Sequence, residues 1–310
     1  MTAHDNNFAS TQGSSQDVLN DDRAERAANT SRIVNDPSYL AADHDLGLLD
    51  DDAARGLRLQ LEYLKPDWQL TKHGIDHTIA VFGSARLDEP AKMEKRLLAA
   101  RSASDKNPDD SQLRRQAEIA ERAQRNSRYY EIAREFGRLV GRAPNSDKNT
   151  RLFVVSGGGP GIMEAVHRGA YDVDAKSVGL NIELPVEQLP NPYVTPGLCF
   201  NFRYFALRKL HFLQRARALV AFPGGFGTLD ELFETLTLVN TKKIAPLPII
   251  LVGEAYWKKA INFDFLVSEG TLTEEERNSF WYCETAEEIW RSIVNWYEGQ
   301  GRGLFTTSAE

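Results

Sequence analysis

Two glycine-rich turns constrain this 310-residue chain more than any other feature. The first is Val155-Ser-Gly-Gly-Gly-Pro-Gly-Ile-Met-Glu164 and the second is Phe222-Pro-Gly-Gly-Phe-Gly-Thr-Leu-Asp-Glu231. Each lies between an apolar strand-like run and a helical run. Strand, tight turn and helix in alternation mean an α/β fold: a Rossmann-like, mainly parallel sheet with helices on both faces. The runs predict strands at Thr78–Phe82, Leu152–Val155, Ser177–Ile182, Ala218–Phe222 and Pro248–Val252. They predict helices from the first turn to about Asp174, over about Asn201–Gln214, from the second turn to near Val239, and over Ala286–Tyr297. In the last of these, Ile289, Ile293 and Trp296 share one face.

The rest of the chain falls around this body. Residues 1–55 hold 11 acidic and 4 basic side chains, which accounts for the whole net charge of −7. Residues 1–50 therefore read as an acidic, flexible tail with little to bury. Residues 51–75 read as a helical lead-in, with Leu57, Leu59, Leu61 and Leu64 near helical spacing and Pro66 ending the helix. Residues 76–300 read as one Rossmann-like domain, and 301–310 as a C-terminal tail. A charged helical insertion at about 91–128 breaks at Asp105–Asp110, and Tyr130, Ala133, Phe136 and Val140 form a core stripe beyond it.

Composition excludes several classes. The body carries equal numbers of both charges, so it has no global basic field for nucleic acid. No apolar run reaches the ~18 residues of a membrane span, and the first residues lack the pattern of a secretory signal. Two cysteines, Cys199 and Cys283, rule out a disulfide scaffold and fit a reducing cytoplasm. No metal site is indicated. His73 and His77 are four apart but precede a strand, and His167 and His211 fall in helical patterns as ordinary surface or core residues. No G-x-S-x-G elbow occurs.

Both turns suit an anion. In the first, Gly157, Gly158, Gly159 and Gly161 let backbone approach a ligand, and Pro160 suits the first turn of a helix whose N-terminus offers free N–H groups. A tight turn without a ligand fits the same residues. The spacing is not a dinucleotide fingerprint, because Ile162 stands where its last glycine belongs, although Glu183 ends the next strand. No ATPase P-loop occurs. In the second turn, Thr228-x-x-Glu231 is the spacing of a capping box, which would explain both residues without chemistry. Pro223-Gly-Gly before it has more backbone freedom than a cap needs. Between the turns, Arg203, Arg208 and Lys209 alternate with aromatics; they fit either a solvated face or a phosphate site. A third turn, Gly83-Ser84 after the first strand, lies where α/β sheets expose binding loops.

Taken together, Val81-Phe-Gly-Ser-Ala85, Ser156-Gly-Gly-Gly-Pro-Gly-Ile-Met-Glu-Ala165, Leu207-Arg-Lys209 and Pro223-Gly-Gly-Phe-Gly-Thr-Leu-Asp-Glu231 resemble the LOG family, the cytokinin-activating phosphoribohydrolases and their bacterial relatives. The resemblance covers about Thr78 to Val252. It implies a Rossmann-like fold and cleavage of the N-glycosidic bond of AMP or N6-modified AMP to base and ribose 5-phosphate, without a cofactor. It implies catalytic roles for Arg208 and Glu231 and a phosphate-binding turn at Gly224, Gly225, Gly227 and Thr228. Gly157 to Gly161, with Gly83 and Ser84, would help seat the nucleotide. Glu164, Asp230 and Glu234 are candidates for ribose or base contacts or for helix N-terminal charge. The resemblance also implies a homo-oligomer, a dimer or larger, up to a hexamer.

The family's other label, lysine decarboxylase, would need pyridoxal phosphate on a lysine. Lys209 is the nearest candidate and reads better as a charge on the phosphate-binding face. A non-catalytic nucleotide or cofactor carrier on the same fold is the rival reading, since fold does not fix function.

Overall fold

The computed structural model describes residues 15–143, 152–185, 189–301 and 304. Residues 1–14 of the expected tail, residues 186–188 and most of the expected C-terminal tail lie outside the described residues.

The described residues up to Gln60 form one compact unit. Helix α1 (Ser15–Val34) stands where composition predicts a loosely tethered tail. Its Ala, Arg and Glu residues are strong helix formers, so local propensity suffices without burial. Asp36 and Asp45 cap the short helical turns that follow, the second being α2 (Leu46–Asp50). Arg58 donates to the carbonyls of Leu49 and Asp51 and ties this segment together.

Helix α3 (Arg55–Lys72) runs through Pro66 rather than ending before it. The proline removes one hydrogen bond from the ladder, and its own ring is buried. Leu57, Leu59, Leu61 and Leu64 are exposed, so their spacing does not mark a core stripe.

The described residues from Leu61 onward form the second unit. Its sheet has seven parallel strands, β1 (His77–Phe82), β2 (Leu152–Ser156), β3 (Ser177–Ile182), β4 (Cys199–Phe202), β5 (Ala216–Ala221), β6 (Ile249–Val252) and β7 (Trp281–Cys283). Their spatial order is β4-β3-β2-β1-β5-β6-β7. The helices are α4 (Pro90–Lys106), α5 (Ser111–Asn126), α6 (Arg128–Arg142), α7 (Ile162–Tyr171), α8 (Phe205–Gln214), α9 (Phe226–Asn240), α10 (Glu254–Ala260), α11 (Phe263–Ser268), α12 (Glu274–Arg277) and α13 (Ala286–Gly299). Among the described residues, no helix is long and apolar enough to cross a membrane.

The central strand β1 is buried along its whole length. Its side chains alternate between faces. Ile79 and Val81 join the core that holds Tyr130, Phe136, Val166 and Ile289, beneath α6, α7 and α13. Ala80 and Phe82 join the core that holds Phe212, Leu232 and Trp257, beneath α8, α9 and α10. The expected stripe of Tyr130, Ala133, Phe136 and Val140 is buried in the first of these cores.

Strands β4 and β7 were not legible in the sequence. Residues 201–204, expected to open the basic helix, instead end β4 and turn, so α8 begins at Phe205. The chain steps outward from β1 to β4 and then returns to place β5 beside β1. That reversal opens a crevice beyond the carboxyl ends of β1 and β5, where ligands bind in open α/β sheets.

Candidate functional site

Three turns meet at this crevice, and Ser84 joins them through its backbone. Its N–H donates to Pro223 O at 3.0 Å, and its carbonyl accepts from Ile162 N at 3.1 Å. The Ser84 hydroxyl accepts from Arg86 N, a local turn bond. Gly161 has a φ of +73°, and a Cβ there would overlap the Ser84 carbonyl. A Cβ on Gly83 would press on Ile162, and one on Gly224 would overlap the Thr228 side chain. Gly161 is thus required by the approach of the Ser84 backbone, and Gly83 and Gly224 by the side chains of Ile162 and Thr228.

A buried polar group supports the first turn from below. Asn191 Nδ2 lies 2.9 Å from the carbonyls of both Gly158 and Gly159 and 3.0 Å from His167 Nδ1. Asn191 N also donates to Gly158 O at 2.7 Å. His167 Nε2 is 3.0 Å from Ser156 Oγ, which accepts from Gly158 N. Complete burial pulls the His167 pKa down to about 4, so the ring is neutral. Sequence reading missed Asn191; its flanking prolines, Pro190 and Pro192, are the one signal that this loop is held in a fixed shape.

The helix that follows this turn starts at Ile162, with Gly161 as its cap, so Pro160 precedes the helix instead of opening it. Glu164, in its first turn, accepts from the Tyr130 hydroxyl at 3.0 Å. Its carboxylate lies near those of Asp88 and Glu89. Arg168 meets Glu89, and Lys92 and Arg96 meet Asp88, so this grouping is an ion-pair network.

The second turn is built differently. Helix α9 begins at Phe226 with Gly225 as its cap and no side-chain cap bond. Thr228 is already inside the first turn, so Thr228 and Glu231 do not form the capping box their spacing allows. Helix geometry leaves the first amides of α9, at Phe226 and Gly227, without carbonyl partners from the preceding turn. A Cβ on Gly225 or Gly227 would meet open space. One turn further in, Glu231 is only 6% exposed. Burial pushes its pKa up to about 7, against the charges of Lys209 and Arg208 that favour ionisation.

Arg208 comes from α8. Its Nε donates to Leu180 O at 2.8 Å, and its guanidinium lies 5.1 Å from the Phe212 ring centre. Burial depresses its pKa, and the Glu231 carboxylate acts in the opposite sense. Its Nη2 lies so close to Gly157 that a Cβ there would stand only 2.6 Å away. Gly157, Arg208 and Glu231, taken from three separated stretches of sequence, thus belong to one group.

Lys209 points elsewhere. Its Nζ is 2.8 Å from Asp230 Oδ2, 2.9 Å from Glu234 Oε2 and 3.9 Å from Glu231 Oε1. Burial alone would lower its pKa, but bonds to Asp230 and Glu234 and the charge of Glu231 outweigh it and raise it. It is a charge inside an acidic cluster and not the free phosphate-facing charge that the sequence suggests. A protonated, ion-paired amine is also a poor Schiff-base nucleophile. The large cleft of about 850 Å³ lies between α8 and α9, lined by Ala206, Leu210, Leu213, Leu238 and Ile244. It touches Lys209 and Glu234 but not the glycine turns.

A family model described as possible lysine decarboxylase matches residues 163–293. A rice (Oryza sativa subsp. japonica) protein named cytokinin riboside 5′-monophosphate phosphoribohydrolase LOG is 29% identical over 171 residues, 53% of this chain and 66% of that protein. Arabidopsis thaliana LOG7, with the same activity in its name, is 30% identical over 152 residues, 46% of this chain and 66% of that one. The chain thus spans just under two thirds of these relatives. Among solved structures, the molybdenum cofactor carrier protein of Chlamydomonas reinhardtii overlaps 72% of this chain and 99% of that one, at 14% identity and a TM-score of 0.41. That overlap is too loose to argue from. The family model spans the strand–turn–helix body that carries Arg208 and Glu231, and over about half its length the chain is similar to LOG proteins.

Proposed function

We propose that the protein is a nucleoside 5′-monophosphate phosphoribohydrolase acting on AMP or an N6-modified AMP. The observation that carries this reading is a buried carboxylate, Glu231, within reach of the charge of a partly buried guanidinium, Arg208, at the crevice where two glycine turns meet. The names of the relatives agree with it.

In this reading the 5′-phosphate rests on the free amides at the start of α9, where the helix dipole favours an anion. Arg208, fixed by Leu180 and Phe212, holds the nucleotide in place. Breaking the C1′–N bond leaves its electron pair on the base, which takes up a proton, and leaves cationic character on the ribose. Ionised Glu231 stabilises that cation and orients a water, whose oxygen bonds to C1′ and whose proton is lost to the carboxylate or to solvent. A carboxylate with a pKa of about 7 is well matched to accept that proton near neutral pH.

A homo-oligomer, as the family resemblance implies, belongs to the same proposal and is read by light scattering. So does a cytoplasmic location, for which the free thiols of Cys199 and Cys283 are suited.

The test is chromatography of purified protein with AMP and with N6-prenylated AMP, alongside Glu231→Gln. Release of base and ribose 5-phosphate by the wild type alone is the expected result. Binding of AMP without release by either protein would replace the enzyme with a carrier.

A further inference from the structure

We infer that Lys209 is a positioning residue for Glu231, held beside it by Asp230 and Glu234, and not a ligand of the substrate's phosphate. The inference rests on the phosphoribohydrolase reading for its catalytic meaning, but its geometry stands apart from that reading. Asp230, Glu231 and Glu234 lie on one helix, and Lys209 reaches them from α8. An ammonium has three N–H donors. Two are taken by Asp230 and Glu234, at 2.8 and 2.9 Å, and the charge then stands 3.9 Å from the Glu231 carboxylate. The Lys209 side chain is 15% exposed, so this placement is set by packing as well as charge.

A phosphate arriving at Lys209 would have to displace two carboxylates and approach a third. The same cluster acts usefully on Glu231. The groups facing that carboxylate are Arg208 and Lys209 from α8 and Asp230 and Glu234 from its own helix. The two cations favour its ionised form, and the two acids oppose it. Asp230 and Glu234 therefore have a divided effect: they repel Glu231 directly, yet they fix the cation that keeps it ionised. Arg208 adds to the same field, but its position is set by the bond from its Nε to Leu180 O and not by the acidic cluster.

The test uses the full-length chain with Lys209→Met and Lys209→Gln, the second retaining hydrogen bonds to Asp230 and Glu234 without the charge. Carbon-13 NMR of labelled glutamate carboxyls, with Glu231→Gln assigning the signal, reads the Glu231 midpoint whether or not the protein turns over AMP. The midpoint should rise by about one pH unit in both variants, a tenfold change in its protonation equilibrium. The acid limb of kcat should rise equally, with KM for AMP changed less than about threefold. Lys209→Arg, which restores a charge, should return the midpoint toward the wild-type value. An unmoved midpoint together with a tenfold higher KM at every pH would overturn the inference and make Lys209 a phosphate ligand. A wild type without cleavage would remove the proposed function, while the NMR midpoint would still decide whether Lys209 governs Glu231.

Discussion

The two glycine turns occupy equivalent places, each after a parallel strand and before a helix, yet they are stabilised in opposite ways. The turn after β2 is closed by backbone contacts and by the neutral group Ser156, His167 and Asn191. The turn after β5 has no side-chain cap, and the side chains behind it are charged: Arg208, Lys209, Asp230, Glu231 and Glu234. One turn fixes a shape, and the other carries groups whose protonation can change. Burial acts on both, pulling His167 down and Glu231 up, and each shift favours the neutral form.

The largest expected effect comes from the charged turn. Glu231→Gln keeps the volume of the side chain and removes its charge. If Glu231 stabilises the ribosyl cation and accepts a proton, kcat for AMP cleavage should fall about a thousandfold. KM should stay within a fewfold of wild type, because phosphate and ribose contacts remain. Stopped-time chromatography of the released base measures both. A loss under tenfold would take Glu231 out of the chemistry.

The pH dependence of stability separates the turns next. His167 titrates near 6.5 when unfolded and near 4 when folded, so the unfolded chain binds the extra proton between those values. Its contribution is present above 6.5 and is lost as pH falls toward 4, at about 1.4 kcal/mol per pH unit. Glu231 titrates near 4.5 when unfolded and near 7 when folded, so here the folded chain holds the extra proton. Its contribution is present below 4.5 and is lost as pH rises toward 7. Between 4.5 and 6.5 the two slopes oppose each other. Urea unfolding across that window should show Glu231→Gln gaining stability with pH more steeply than wild type, by about 1.4 kcal/mol per unit. His167→Gln should deviate in the opposite direction. Parallel curves for all three proteins would mean that neither group changes its proton affinity on folding.

A smaller effect tests where the turns touch. A methyl on Gly157 would fall 2.6 Å from Arg208 Nη2 and 2.8 Å from Met163 Sδ. Both neighbours are side-chain ends and can shift, so the fold should survive. Arg208 would then leave its position, and a displacement near 1 Å can cost up to about a hundredfold in rate. We expect Gly157→Ala to lower kcat/KM for AMP between tenfold and a hundredfold with a Tm within a few degrees of wild type. Retained activity would show that Arg208 need not be held where it is.

The contrast between the turns also explains how much the sequence reveals. The glycines and the strand–helix alternation are local signals, and they locate the crevice from the sequence alone. Gly158 and Gly161 have positive φ, which few other residues adopt easily. Non-local pairing is what the sequence hides. Cys199–Phe202 becomes β4 because β3 lies beside it, and its aromatics suit a helix equally well when read alone. Thr228-x-x-Glu231 has the spacing of a capping box but sits inside the helix, whereas Thr273 with Glu276 and Thr285 with Glu288 form real boxes. The difference is where each helix begins, and spacing does not encode that. Lys209 reads as a free cation because its three acidic partners are more than twenty residues away. His167 and Asn191 meet across 24 residues, with no motif to announce them.

The smallest expected effect asks why Gly227 is a glycine at all. Gly83, Gly161 and Gly224 have neighbours that a Cβ would strike, but Gly227 has open space and lies within a helix. Alanine there should raise folding stability by about 0.5 kcal/mol, because glycine is the poorer helix former. Packing therefore gives no reason for this glycine, and an approaching ligand does. If the substrate's phosphate rests on the first amides of α9, Gly227→Ala should raise KM for AMP severalfold while kcat changes little. Differential scanning calorimetry and initial rates on the same preparation would read both quantities. A more stable protein with an unchanged KM would leave the phosphate to the other turn, and the neutral turn would then be the anion site.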